Sequence, residues 1–400
     1  MKVLHIVSTA LPLEGGHSIR NHNIFKYLKN KIKNLDVAVS IFEIDEKRLS
    51  RNLRFIEDDV NYTQIISKKI IWYLKVFYKS PILNQPLQLF LIFINYLKIK
   101  KTFNINEYDI IHGHSGYNNG ISAYLIAKKF KKKFIYDLHA LSIDNIKKGT
   151  LKYKIAKRME SFLIRKAEVL ITIDPELKKY IINKYGISED KIFSTPNGID
   201  SDLFSKNTKL NKEDFAGNGK FVIGIDNSKS IENFQFILKN IDQIIAVFPD
   251  VFFVVFGDKN SNLEYDPEYF KFLPKIKFKE MADYYSILDL FIMPRIRNNM
   301  TETITPLKIL EIMSCEIPVL VSNVNGLSSC VKHSETGYIF NLEKGITSFN
   351  DAIKEIRSNK ELIKVCKNAR EWVVSNKSWE NAAEQYVNAY HKIFKKEHLH

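Results

Sequence analysis

Short apolar runs alternate with longer amphipathic ones along most of the chain. In the first half, Val3–Ser8, Val37–Phe42, Ile110–His112, Phe134–Leu138, Val169–Ile173 and Ile192–Thr195 are rich in Val, Ile and Phe. Runs this short and this continuously apolar are expected of parallel strands buried on both faces. Ser18–Ile32, Gly120–Phe130 and Tyr153–Lys166 have helical spacing and separate them. A strand–helix–strand rhythm predicts a parallel sheet with helices on both sides.

The rhythm pauses at Pro196-Asn197-Gly198-Ile199-Asp200, and a polar stretch from Ser201 to Lys220 reads as a linker. It then resumes with strands predicted at Phe221–Ile225, Val251–Phe256, Ile276–Phe278, Leu290–Met293, Val319–Ser322 and Tyr338–Phe340. The fold expected is α/β, with two Rossmann-like domains facing across a cleft. Residues 1–200 form the first domain and 201–377 the second. Residues 378–400, with an amphipathic helix over Trp379–Phe394, are expected to cross back to the first.

Ile65–Lys101 departs from this rhythm. Its most apolar part, Leu87–Ile99, contains Gln88, Asn95 and Lys98 and is shorter than the roughly 20 residues a spanning helix needs. Two readings fit: helices packed in the first domain, or a basic, aromatic amphipathic segment lying on an anionic membrane surface.

The chain has 400 residues, a length that suits two domains. Its three cysteines, Cys315, Cys330 and Cys366, form no metal-binding or disulfide pattern and fit a reducing cytoplasm. The segment Met1–Ser8 reads as a first strand rather than a signal peptide. A formal net charge of +15 favours an anionic partner, although a lysine-rich composition with solvated side chains accounts for it equally well. The basic residues are dispersed, with no nucleic-acid motif, so no nucleic-acid partner is expected.

The densest candidate chemistry lies in 293–313. A strand ends near Met293, a polar loop carries Arg295 and Arg297, and a helix begins after Thr305-Pro306. Thr305 is a suitable N-cap and Pro306 a suitable first helical residue, with Leu307, Leu310 and Ile312–Met313 facing the core. Lys308 places a cation in the first turn, against the helix dipole. A bound phosphate would remove that conflict, since the free N–H groups and the ammonium would converge on it. Glu311, three residues on, can accept ribose hydroxyls or simply pair with Lys308 at the surface. Gly15 and Gly16 follow the first strand, where glycines permit close backbone approach to a ligand; a plain turn with Ser18 as helix cap serves as well. His139 follows the strand Phe134–Leu138 at a sheet edge where ligands bind. His112 and His114 share a strand face but lack an evident third ligand, so no metal site is assigned.

These blocks resemble the retaining family 4 glycosyltransferases of the GT-B fold. The resemblance runs through Gly15-Gly16, Tyr108–His114, His139, Ala167–Thr172, Pro196–Asp200, Tyr284–Pro294, Thr305–Met313, Pro318–Ser322, Gly326-Leu327, Thr336–Tyr338 and Ser378–Glu380. It implies a nucleoside-diphosphate sugar as donor, UDP-sugar foremost, and no resident cofactor or metal. It implies donor contacts from Gly15, Gly16, Lys229, Thr303, Thr305, Pro306, Leu307 and Glu311. Glu311 matches the second glutamate of the family signature, which binds ribose. The first glutamate's register falls on Thr303, with Glu302 one residue early. Lys229 matches the phosphate-binding lysine, but the arginine that usually precedes it is missing, leaving Arg295 and Lys308 to supply the charge.

The roles implied are catalytic for His139, Lys308, Arg295 and Glu302. Cations and N–H groups would stabilise the leaving diphosphate, with front-face attack on the sugar. Asp200-Ser201-Asp202 resembles a metal-binding DxD but falls in the hinge. The acceptor expected is a glycan or lipid-linked molecule of the cell envelope, and the location cytoplasmic, compatible with the inner face of the membrane. The competing classes are a sugar-nucleotide epimerase of the same fold and a non-catalytic basic membrane-binding protein.

Overall fold

The computed structural model describes residues 1–11, 15–40, 54–65, 84–144, 146–207, 209–227, 231–258 and 265–395. The chain divides into two compact units. One comprises Met1–Asn197 together with Trp379–His400, and the other Gly198–Ser378.

The first unit is built on strands β1 (Lys2–Val7), β2 (Asn34–Val39), β3 (Arg54–Glu57), β4 (Val60–Gln64), β5 (Ile110–His114), β6 (Lys133–Leu138), β7 (Val169–Thr172) and β8 (Ile192–Ser194). Its eight-stranded sheet has the order β3-β4-β2-β1-β5-β6-β7-β8. All pairings are parallel except β3 with β4. That hairpin is absent from the sequence reading. Its turn is Asp58-Asp59, with φ of 44° and 60°, the left-handed pair that a two-residue hairpin turn requires.

The helices of this unit are α1 (Gly16–Leu28), α2 (Asn84–Thr102), α3 (Tyr117–Phe130), α4 (Leu151–Lys166) and α5 (Pro175–Tyr185). Helix α3 lies very close to β5. A Cβ on Gly113 would stand 2.9 Å from Ala123 Cβ, and one on Gly120 only 2.5 Å from Leu163 Cδ1. Of the Ile65–Lys101 segment, α2 is one continuous helix, and residues 66–83 lie outside the described residues. Among the described residues no helix is long and apolar enough to cross a membrane.

The second unit carries β9 (Phe221–Asp226), β10 (Val251–Phe256), β11 (Phe270–Leu273), β12 (Leu290–Met293), β13 (Val319–Ser322) and β14 (Tyr338–Phe340). Its longer helices are α6 (Ile231–Val247), α7 (Leu307–Ser314), α8 (Gly345–Ser358) and α9 (Leu362–Asn376). The strand order is β11-β10-β9-β12-β13-β14, the doubly wound Rossmann order. Alternate residues serve two cores, as the strand period of two requires. Val222, Val254 and Phe291 face one layer; Ile223, Phe253 and Ile292 face the other.

The strand expected at Ile276–Phe278 is a correction. The strand is Phe270–Leu273, where Phe270 and Leu273 are buried beside β10. Pro274 ends it, and Phe278–Glu280 is a 3₁₀ turn. Within the polar stretch Ser201–Lys220 a short helix forms at Glu213–Ala216. The last helix, α10 (Trp379–Lys395), belongs to the first unit, where it packs on α1.

Candidate active site

In each sheet the strand order reverses direction once, between β1 and β5 and between β9 and β12. Loops at the carboxyl ends of strands flanking such a point are where doubly wound sheets bind ligands. The candidate residues gather at these two edges.

In the second unit β9 ends in Asp226, and Lys308 Nζ lies 2.7 Å from its Oδ1. This corrects the reading of Lys308: the first-turn cation is balanced within the protein by Asp226 rather than left to a phosphate alone. Lys308 also lies 5.8 Å from the centre of the Phe256 ring. Arg295 follows β12; burial pulls its pKa down, and the charge of Asp226 opposes that. Arg295 and Lys308 thus share one carboxylate neighbour.

Arg297 does not join them. Its guanidinium donates to Glu302 Oε1 at 2.5 Å, to the Asn323 carbonyl at 2.9 Å and to Glu343 Oε1 at 3.4 Å. Glu302 Oε2 accepts from the Asn325 amide at 3.2 Å. Both oxygens of Glu302 are therefore engaged in holding the loop, which departs from the catalytic role expected of it. Thr303 is buried, and its hydroxyl donates to the Asn299 carbonyl at 2.6 Å within the short helix Asn299–Thr303. The loop sits tightly on Gly326, where a Cβ would come within 2.5 Å of the Thr301 and Ile304 carbonyl oxygens.

The start of α7 needs a second correction. Pro306 is the N-cap, with φ −73° and ψ 141°, and helical geometry begins at Leu307. Thr305 stands one residue too early, and its hydroxyl lies 3.2 Å from that of Ser329. Leu307 is half-buried rather than in the core that holds Leu310, Ile312 and Met313. Because proline has no capping side chain, no side-chain cap closes this helix start. Its first N–H groups and positive dipole end suit an anion.

Glu311, one turn into α7, is buried and accepts a hydrogen bond from the Tyr285 hydroxyl at 2.8 Å. Burial raises its pKa to about 7, against the lowering effects of that bond and of Lys308. It is no surface partner of Lys308. Lys229 lies outside the described residues. Asp200 Oδ1 accepts from the Asp202 and Leu203 amides, a local turn in which that carboxylate is already engaged.

In the first unit Gly15 is the N-cap of α1, followed by Gly16. Gly15 has φ −158°, which any residue adopts, and a Cβ there would meet only Ser18 Oγ at 3.8 Å. The Ser18 hydroxyl accepts from the Gly15 amide at 3.0 Å and donates to its carbonyl at 2.9 Å. Ser18 is thus not the cap itself: it stands in the first turn and its side chain bonds back to the cap residue Gly15.

His139 follows β6 and is buried, with Nε2 3.3 Å from Asp137 Oδ2. The His17 ring of α1 stands edge-on to it, 5.0 Å between centres. Behind it lies a polar cluster that pattern reading missed. Asp137, His112, His114 and His5 are fully buried. His114 Nδ1 lies 3.2 Å from Asp137 Oδ2, and its Nε2 is 2.8 Å from His5 Nδ1. His112 Nδ1 is 2.9 Å from the Tyr390 hydroxyl, and Tyr386 donates to Asp137 Oδ2. His5 supplies the third ring beside His112 and His114; both its nitrogens face partners, while His112 Nε2 and His114 Nδ1 make no hydrogen bond among the described residues.

Burial holds the pKa of His5, His112 and His114 down, so they are neutral. Burial pushes Asp137 up, but His139 and His114 outweigh it and hold the carboxyl well below its usual range. Arg20 of α1 is also buried. It donates to the Thr195 carbonyl and hydroxyl, both at 2.7 Å, and to Asn197 Oδ1 at 3.0 Å. The one sequence signal for this cluster was His112-Gly113-His114 followed by Asp137-Leu138-His139, whose alternation puts like-facing residues on adjacent strands.

Comparison with known proteins agrees with this geometry. Residues 28–203 match the family described as Glycosyltransferase Family 4, and residues 221–359 the one described as Glycosyl transferases group 1. The chain is 25% identical over 304 residues to the Escherichia coli UDP-Gal:alpha-D-GlcNAc-diphosphoundecaprenol alpha-1,3-galactosyltransferase, covering 70% of this chain and 74% of that one. It is 26% identical over 228 residues to the capsular polysaccharide biosynthesis glycosyltransferase CapM of Staphylococcus aureus, covering 53% of this chain and 57% of CapM. The fold is similar to that of Anabaena HepE solved with UDP and glucose, with a TM-score of 0.69 and 17% identity over 98% of this chain and 99% of HepE. Two Rossmann-like sheets, the residues gathered at their carboxyl edges and these matches establish that the chain belongs to the family 4 glycosyltransferases of the GT-B fold.

Proposed function

We propose that this enzyme transfers a sugar, with retention, from a nucleoside-diphosphate sugar to a glycan or lipid-linked acceptor in cell-envelope polysaccharide synthesis. The observation that carries the reading is the start of α7. An uncapped helix N-terminus, Lys308, the nearby Arg295 and the buried carboxylate of Glu311 occupy one carboxyl edge of a Rossmann sheet. Diphosphate oxygens suit the first three, and ribose hydroxyls suit the fourth. UDP is the favoured nucleotide because a relative uses UDP-Gal and a protein of similar fold was solved with UDP.

In the transfer, the bond from the anomeric carbon to the β-phosphate oxygen breaks and a bond to the acceptor oxygen forms. The acceptor proton passes to the departing phosphate oxygen. Negative charge grows on that phosphate, and preorganised cations and N–H groups stabilise it. Lys308 exchanges its bond to Asp226 for one to the phosphate, and Arg295 adds a second charge. This route needs no metal and no resident cofactor.

The acceptor side of the reading rests on the lipid-linked substrate named for the E. coli relative. Helix α2 adds support for action at the cytoplasmic face of a membrane. Leu89, Phe90, Phe93 and Leu97 are exposed along one side, and Lys100 and Lys101 close its last turn. Apolar and basic residues so placed suit an anionic lipid surface.

The decisive experiment is thermal unfolding with UDP, GDP, ADP and CMP, with and without divalent metal. A nucleotide at 100 times its dissociation constant adds about 2.7 kcal/mol to folded stability. A selective shift with UDP that needs no metal is expected. No shift with any nucleotide would overturn the donor assignment. Product analysis with donor alone separates transfer from epimerisation.

A further inference from the structure

We propose that Asp137 and Tyr386 are positioning residues for His139, so that the C-terminal helix α10 completes the active site of the first unit. This deepens the transferase reading and rests on it.

One oxygen, Asp137 Oδ2, receives the Tyr386 hydroxyl and lies 3.3 Å from His139 Nε2 and 3.2 Å from His114 Nδ1. An ionised carboxylate only accepts, so His139 carries a proton on Nε2. Its other nitrogen, Nδ1, is buried and makes no hydrogen bond among the described residues. With the proton held on Nε2, His139 presents Nδ1 as an acceptor for a substrate hydroxyl.

The same carboxylate faces the rings behind it. His114 Nδ1 lies 3.2 Å from it without a hydrogen bond of its own among the described residues, and His114 Nε2 is 2.8 Å from His5 Nδ1. His5 Nε2 faces the Tyr390 hydroxyl at 3.5 Å, and the Tyr390 oxygen is 2.9 Å from His112 Nδ1. Tyr386 and Tyr390 lie one turn apart on α10, so a single helix face holds both ends. A well-packed apolar face would be at least as stable as this polar one. A sheet built only for stability has no use for a carboxylate and four histidines here.

The groups around His139 are Asp137 of β6, His112 and His114 of β5 and His17 of α1, with Tyr386 of α10 on Asp137 and Arg20 of α1 acting on His114 and Tyr386. Asp137 is the only anion among them. Removing its charge takes away the acceptor that fixes the Nε2 proton, and removing the Tyr386 hydroxyl frees the carboxylate to turn away from the ring.

The test uses the full chain carrying Tyr386→Phe or Asp137→Asn. The His139 tautomer is read by nitrogen-detected imidazole NMR, and kcat is measured at neutral pH. Expected are loss of a single Nε2–H tautomer of His139 and kcat down by about tenfold or more. Tyr386→Phe keeps the buried ring and serves if Asp137→Asn fails to fold. A folded Tyr386→Phe variant with unchanged tautomer and unchanged kcat overturns the proposal. UDP stabilisation of the same variants separates the two readings, since its loss in the parent protein would sink the donor assignment instead.

Discussion

Glu311 is a carboxylate buried beside a tyrosine hydroxyl, with its pKa raised to about 7. Ribose hydroxyls donate to the ionised form, so nucleotide binding favours deprotonation. UDP affinity should therefore be full above pH 7 and fall as pH drops below it, approaching about tenfold per unit. Titration calorimetry across this range checks it, and a flat profile would remove Glu311 from the ribose contact. For Lys308→Ala, turnover should drop at least about tenfold with the fold intact. Steady-state kinetics and circular dichroism together test this, and an unchanged rate would take Lys308 out of the site. Lys308 was recognisable in the sequence because a first-turn cation opposes the helix dipole. Its partner was not, since Asp226 lies 82 residues away and only β9 and α7 packing in one unit bring them together.

The strands read from apolar runs reappear with shifted ends, because a buried strand must be apolar wherever it pairs. The hairpin β3–β4 escaped notice: β3 reads exposed or half-buried throughout, so no apolar run marks it. Phe270–Leu273 and Ile276–Phe278 look alike as sequence, and pairing with β10 selects the first. Helix α2 carries the prediction at this scale. Its exposed apolar side should bind liposomes containing anionic lipid at low salt. Phe90→Ser with Phe93→Ser should weaken co-sedimentation at least about tenfold, from the apolar area no longer buried in lipid. Absence of binding by the parent protein would remove the membrane from the account.

At the scale of the whole chain, α10 follows the second unit in sequence yet belongs to the first. Ending the chain at Ser378 should expose the α1 surface and the polar cluster. Hydrogen exchange should then rise in Lys2–Val7 and Ile110–His114 while Gly198–Ser378 keeps its protection. Equal protection in both forms would show that α10 is dispensable to the first unit.

The order of apolar runs, the glycines and the motif blocks determined by themselves two Rossmann sheets and a glycosyltransferase family, because burial and strand period are written locally. The tertiary structure alone decided which charges meet. It paired Lys308 with Asp226, drew Glu302 away to Arg297, buried Glu311 against Tyr285 and set Tyr386 on Asp137. Side chains find such partners through space, across chain separations that no local periodicity records.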